Sequence, residues 1–245
     1  MPKTPASGFG AAPSGDGTGV QTTRVIVFDV NETLSDLAPM AQRFASVDLP
    51  PHLAQTWFAQ VLRDGFALAA TGDSASFAAI AAGALHTVLA THAPHRDSEA
   101  AVQHVLEGFR SLAVHPDVPE GVRVLEDAGL RLVTLSNGAP DVAEALLTRA
   151  GVRERFERLL SVEDAGLWKP ALASYAYAAR ACEVSPADMM LVAVHPWDVH
   201  GAARAGLRTA WVTRDEGAAY PSYFTAPDLI VTGLDDLAHQ LTAQG

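Results

Sequence analysis

The chain has 245 residues, 49% of them hydrophobic, enough to bury the core of one large domain or of a core plus a smaller one. A formal net charge of −11 argues against a nucleic-acid surface or an anionic membrane as partner, though not against a small anionic substrate, because local groups set the field inside a pocket. The single cysteine, Cys182, excludes an intrachain disulfide and a multi-cysteine zinc site and reads as a small buried apolar residue, and no apolar run reaches membrane-spanning length.

Residues 1–22 are rich in Gly, Pro, Ser and Thr and lack the apolar stretch of a secretory signal. They read as a disordered N-terminal tail, and the expected compartment is cytoplasmic. Residues 24–30 form a short β-branched and aromatic run that predicts a strand buried on both faces, with Asp29 near its C-terminal end. That end of a parallel strand is where open α/β sheets hold their ligands. Burying a carboxylate costs free energy unless something compensates it, so Asp29 is either a helix cap or a reactive group.

Across residues 39–112 no strand is predicted. Trp57, Val61, Leu62, Phe66 and Leu68 fall near one face of a helix, and two further Ala-rich helical segments follow at 76–93 and 99–112. Beyond His115 the pattern alternates: helix 121–129, strand 130–138, helix 141–151, a short strand within 156–166, helix 171–184 and strand 188–198. A helix from about residue 199, strands at 208–214 and 227–233, and a closing helix at 234–243 complete it. Strands separated by helices imply a parallel sheet covered on both faces. The expectation is an α/β fold, a Rossmann-like parallel sheet core made of 23–38 and 113–245, with 39–112 inserted as a helical cap over the C-terminal edge of the sheet.

Four polar groups fall at strand ends or in the loops after them: Asp29, Ser136 with Asn137, Lys169, and Asp198 with His195. Each has an ordinary alternative. Ser136-Asn137-Gly138 is a common turn sequence, Lys169 before Pro170 suits a solvated loop, Asp198 suits the cap of a helix starting at Val199, and His195 suits a loop filler. Their convergence on one sheet edge is what favours a site. His86, His92, His95, His104 and His115 show no metal-ligand spacing and read as surface residues.

The order DVNETL, LSNG, LWKP, HPWD, with a helical insertion after the first motif, resembles the haloacid dehalogenase-like hydrolase superfamily over residues 23–245. The helical cap and the segment WDVHGAARAGLRTAWVTR are most similar to the type II (S)-2-haloacid dehalogenases. The resemblance implies that Asp29 is a nucleophile that attacks C2 of a 2-haloacid, displaces halide and leaves an ester on the enzyme. It implies that Thr33 orients that carboxylate, that Ser136 and Asn137 bind substrate carboxylate and halide, and that Lys169 holds the nucleophile ionised by opposite charge. Asp198 then matches the acid that positions or activates the attacking water, and Tyr175 matches a tyrosine lining the pocket, although a helix-core role fits it as well. No cofactor and no metal are implied; a homodimer is.

The superfamily's phosphatases place a second aspartate two residues after the nucleophile as general acid/base. Here that position is Asn31, and HPWD offers Asp198 alone where a hard Mg²⁺ wants several carboxylate oxygens. Halide leaves without a proton, so carbon–halogen cleavage tolerates Asn31 better than phosphate-ester hydrolysis does. The sequence also departs from the dehalogenase pattern. Asn31 stands where a tyrosine is usual, Phe58 where the cap arginine that takes up halide is usual, and Ala193 and His195 where a serine and an asparagine are usual. Arg63, farther along the same helix, is the alternative cation or else a surface residue; His195 offers a second base or donor, tunable by Asp198. Trp57, Phe58, Phe66 and Trp197 are candidates for an apolar wall, with packing of the cap against itself the alternative, strongest for Phe66. The altered halide pocket points to an unusual haloacid, a small fluorinated one included. The rival readings are a Mg²⁺-dependent phosphatase of the same fold and a catalytically degraded relative that serves as a binding protein.

Overall fold

The computed structural model describes residues 23–214 and 217–243; the expected tail at 1–22 lies outside the described residues. Strand β1 (Val25–Phe28) is completely buried, as its unbroken VIVF run requires. It lies at the centre of a six-stranded parallel sheet with β2 (Arg131–Ser136), β3 (Arg158–Ser161), β4 (Met189–Ala193), β5 (Arg208–Val212) and β6 (Leu229–Val231) in the order β3-β2-β1-β4-β5-β6. Chain order reverses between β1 and β4, which creates the switch-point crevice at their carboxyl ends. The expected parallel α/β sheet is present.

Side chains alternate across β1. Ile26 and Phe28 pack with α5 (Val118–Asp127), α6 (Pro140–Arg149) and α10 (Leu234–Thr242) through Val122, Leu147 and Leu237. Val25 and Val27 face the other way, toward Tyr175 and Cys182 of α8 (Leu172–Cys182) and Val199 and Ala202 of α9 (Pro196–Arg204). That second cluster continues into four helices between β1 and β2: α1 (Met40–Ala45), α2 (Leu53–Thr71), α3 (Phe77–His92) and α4 (Ser98–Arg110). Their own centre is aromatic, with Trp57 edge-on to Phe109 and Phe77 stacked on Phe109 at 5.2 Å.

One core residue reaches into these helices. Trp168, on the loop before α8, stacks on Phe77 at 5.9 Å and 8° and donates its indole N–H to the carbonyl of Ala75. Gly65 leaves room for it: a Cβ there would overlap the Trp168 ring.

Three local features depart from expectation. The short α1 has no counterpart among the predicted helices. The segment 156–166 divides into β3 and a one-turn helix α7 (Val162–Ala165), because the Ser161 hydroxyl caps the Glu163 N–H and Gly166, at φ 84°, ends the turn. Helix α9 begins at Pro196, whose fixed φ suits a first helical position, so Asp198 lies inside the first turn and is not its cap.

Candidate active site

Asp29 follows β1 directly, and its N–H still bonds to Val192 of β4 at 3.1 Å. Period-two alternation turns its side chain to the same side as Val27, toward α8, α9 and the helical block. A tight turn then brings the N–H groups of Leu34 and Ser35 to the Val30 carbonyl at 2.9 and 3.0 Å. The Thr33 hydroxyl thereby reaches back to Asp29 Oδ2 at 2.7 Å, while accepting the Val194 N–H at 3.1 Å.

Lys169 comes from the loop after α7 and is completely buried. Its Nζ lies 2.8 Å from Asp29 Oδ1 and 2.6 Å from Asp198 Oδ2. Asn137 holds the lysine's backbone from both sides, with Oδ1 accepting the Lys169 N–H at 2.9 Å and Nδ2 donating to the Lys169 carbonyl at 3.4 Å. The Ser136 hydroxyl accepts the Gly138 N–H at 2.9 Å, so its own hydrogen is left to donate. Tyr175 is fully buried, and its hydroxyl donates to Asp198 Oδ1 at 2.5 Å. Gly201 permits this approach of α9, since a Cβ there would lie 2.6 Å from both the Tyr175 hydroxyl and Pro170 Cβ.

His195 closes the site from the other side. Its Nδ1 lies 3.0 Å from Asp29 Oδ2 and its Nε2 lies 2.8 Å from Glu32 Oε2. Its ring stacks beside Phe58 at 6.4 Å and against Trp197 at 5.0 Å. Phe58 therefore meets the site as an aromatic face where a cation was the usual expectation. Arg63 supplies no substitute, because its guanidinium is exposed and paired with Asp64 at 2.8 Å. Phe66 does not pack within the helical block alone: it lies edge-on to Trp197 at 4.8 Å and ties α2 to α9.

Charge in this site is arranged around one ammonium and one imidazole. Burial opposes ionisation of Asp29, but Lys169 and then His195 outweigh it and hold the carboxyl well below the usual carboxylate range. Burial likewise disfavours charge on His195, yet its bonds to Asp29 and Glu32 prevail and push it up to about 9. For Asp198 burial wins over the Lys169 charge, with Asp29 adding repulsion, so its pKa rises. Burial also raises Tyr175, which keeps the hydroxyl a donor. The arrangement is an ionised carboxylate with a second, more basic carboxylate across a shared lysine.

Two cavities flank it. One of about 180 Å³ is lined by Asn31, Ser136 and Gly138 from the sheet edge and by Phe77, Leu106 and Phe109 from the helices. That is below the roughly 300–1,000 Å³ typical of drug-sized ligands and suits a molecule of a few heavy atoms. A larger one, about 560 Å³, is lined by Glu32, Phe58, His115, His195 and Arg214 among others. Magnesium, which the phosphatase alternative needs, does not suit this donor set. The Lys169 ammonium fills the place between Asp29 and Asp198, Asn31 offers a neutral amide, and no cluster of three or more His, Cys, Asp or Glu able to hold a metal occurs among the described residues.

Sequence reasoning brought Asp29, Thr33, Ser136, Asn137, Lys169, Tyr175, His195, Trp197 and Asp198 forward, and they lie around one sheet edge. It missed Glu32, and it missed His115, read as a surface residue, whose Nε2 instead donates to the Glu32 carbonyl at 3.0 Å. A carboxylate three residues past Asp29, together with a histidine in place of asparagine at 195, was the available signal.

Comparison with known proteins bears on the family. The chain is 31% identical over 141 residues to haloacetate dehalogenase H-2 of Moraxella sp. (strain B), a match that covers 58% of this chain and only 62% of that protein. It is 29% identical to an (S)-2-haloacid dehalogenase of Xanthobacter autotrophicus across 87% of this chain and 93% of the relative. The structure of the L-2-haloacid dehalogenase from Xanthobacter autotrophicus with chloropropionic acid covalently bound superposes with a TM-score of 0.83 at 26% identity, over 91% of this chain and all of that one. With a family model matching residues 23–206 on top of the buried Asp29–Lys169–Asp198 arrangement, the chain belongs to the haloacid dehalogenase-like hydrolases.

Proposed function

We propose that the protein is a hydrolytic dehalogenase of short 2-haloalkanoic acids that works through an aspartyl ester and without a metal. The observation that carries this reading is Lys169 Nζ, buried between Asp29 and Asp198 at 2.8 and 2.6 Å. It keeps Asp29 a nucleophile at neutral pH and leaves Asp198, the more basic carboxylate, to take a proton from water.

The four helices 40–110 act as the cap domain on the core. The Ser136 hydroxyl and the remaining amide hydrogen of Asn137 take the substrate carboxylate. Asp29 displaces halide from C2 with inversion, as a backside attack requires, and the halide departs toward the wall of Phe58, His195 and Trp197. Water, deprotonated by Asp198, then attacks the ester carbonyl carbon and releases the 2-hydroxyacid. Asn31 lines the small cavity and shapes it without supplying a proton. The working unit is a homodimer in the cytoplasm, which light scattering and cell fractionation check.

Halide release from 2-chloropropionate and from haloacetates, run with EDTA and again with Mg²⁺ beside a p-nitrophenyl phosphate assay, tests the reading. Release indifferent to EDTA supports it, and Asp29→Asn then abolishes turnover with the fold retained. Phosphate release that needs Mg²⁺, with no halide, overturns it. Silence in both assays favours a binding protein. Fluoride release from fluoroacetate decides whether the altered halide wall serves a fluorinated substrate.

A further inference from the structure

The turn after Asp29 carries a second carboxylate that the reaction just described does not use. Glu32 sits in the left-handed region at φ 62°, a conformation that costs a non-glycine residue energy and persists only when its surroundings fix it. It is fixed on three sides: its N–H donates to Ser35 Oγ at 3.3 Å, its carbonyl accepts from His115 at 3.0 Å, and its carboxylate meets His195 Nε2 at 2.8 Å. The imidazole is thus clamped between two carboxylates, with Nδ1 on Asp29 Oδ2. The same oxygen receives the Thr33 hydroxyl at 2.7 Å, whereas Oδ1 faces Lys169.

We propose that Glu32 is a positioning residue that holds His195 with its Nδ1–H on Asp29 Oδ2, so that His195 and Thr33 together form the oxyanion hole for hydrolysis of the aspartyl ester. The inference rests on the dehalogenase reading and assigns the second half-reaction of that site.

The chemistry favours Oδ1 as the attacking atom, because Oδ2 already receives two donors. Alkylation of Oδ1 leaves Oδ2 as the ester carbonyl oxygen. Water then adds to Cγ, one of its protons passes to Asp198, and the carbonyl electron pair moves onto Oδ2, between Nδ1–H and Oγ1–H. Collapse restores the carbonyl, breaks the Cγ–Oδ1 bond, and expels the 2-hydroxyacid oxygen, which takes the proton back from Asp198. Asp29 returns to a carboxylate on loss of its remaining proton to solvent. Donors already in place where charge develops cost no reorganisation during the step.

Glu32 matters most in that half. Before alkylation two anions, Asp29 and Glu32, stabilise the imidazolium. Once Asp29 is an ester its charge is gone, and Glu32 is the sole carboxylate left in contact with His195. The other groups around the ring are Phe58 from α2 and Trp197 from α9, both uncharged. Lys169 and Asp198 lie beyond Asp29, and Asp36, His52, His115 and Arg214 share the cavity that His195 lines. In the free enzyme the imidazole is already pushed up to about 9. Without Glu32, no carboxylate offsets the burial that disfavours charge on the ring once Asp29 is an ester, so the imidazolium gives up a proton at lower pH and Nδ1–H is no longer held on Oδ2.

The test compares wild type, Glu32→Gln and Glu32→Asp. With chloroacetate, Glu32→Gln gives a burst of about one chloride per site, then turnover slowed roughly tenfold or more, short of the 10²–10³ lost when an oxyanion donor itself is removed. Intact-mass analysis shows the ester accumulating, and the alkaline limb of kcat moves to lower pH. Glu32→Asp, which keeps the charge, recovers much of both. Alongside, NMR titration of the His195 ring needs no substrate and shows its pKa falling in Glu32→Gln. An unchanged titration, or halide burst and turnover falling together with no ester accumulated, overturns the inference while leaving the dehalogenase reading intact. A wild type that releases no halide from any haloacid removes the reaction and the inference with it, whatever the titration shows.

Discussion

Replacing Lys169 with methionine removes one charge and keeps most of the side-chain volume. In the native site the ammonium is fully buried and touches two carboxylates, at 2.8 Å and 2.6 Å. Deleting one partner of a buried ion pair costs about 3–5 kcal/mol, because the other charge is left without compensation. Asp29 keeps Thr33 and His195, so the cost falls mainly on Asp198, which has only Tyr175 left. The variant escapes by holding Asp198 protonated. A carboxyl whose folded pKa lies above its unfolded value near 3.9 weakens the fold only as pH rises past that value, by about 1.4 kcal/mol per pH unit. From about pH 4 to about pH 7 that slope accumulates roughly 4 kcal/mol, inside the range for a broken buried pair. Urea melts of wild type and variant at several pH values across that window measure it. The gap should be small at the acid end and should widen steadily toward neutrality. A gap that is constant with pH refutes the reasoning and assigns the cost to packing.

Three further outcomes are expected. Gly201→Ala places a methyl 2.6 Å from the Tyr175 hydroxyl and Pro170 Cβ, so α9 must draw back; a loss of about 1–3 kcal/mol in melts should accompany a fall in kcat, as Asp198 is displaced. His195, raised from 6.5 to about 9 on folding, adds stability that is complete below about 6.5 and fades as pH climbs through about 9, so wild type should soften across that interval and His195→Gln should not. Arg63→Ala removes an exposed pair, and both halide release and the melting midpoint should stay within error. A clear drop in activity there would place a cation at the halide wall after all.

The sheet was legible because its strands are short apolar runs between amphipathic helices, and the VIVF run of β1 can be buried on both faces only at the centre of such a sheet. The site was legible as a set of polar residues at strand ends, since parallel topology carries all those ends to one edge. What could not be read was how each group spends its hydrogen bonds. Asn137 looks free to bind an anion until the fold places Lys169, 32 residues on, with its backbone N–H and carbonyl both facing the Asn137 amide. Glu32 looks solvated because its partner lies 163 residues away and its direction depends on a positive φ that no pattern announces. The start of α9 was misplaced for a local reason: HPWD reads as loop until Pro196 is recognised as a first helical residue.

Trp168 and Lys169 are neighbours in the chain, yet one is lodged among the helices and the other against Asp29. They join two parts of the fold: a change that displaces the indole from beside Gly65 would also shift the loop that holds the ammonium on Asp29. Hydrogen exchange that rises at both residues together, and never at one alone, is the signature of such coupling.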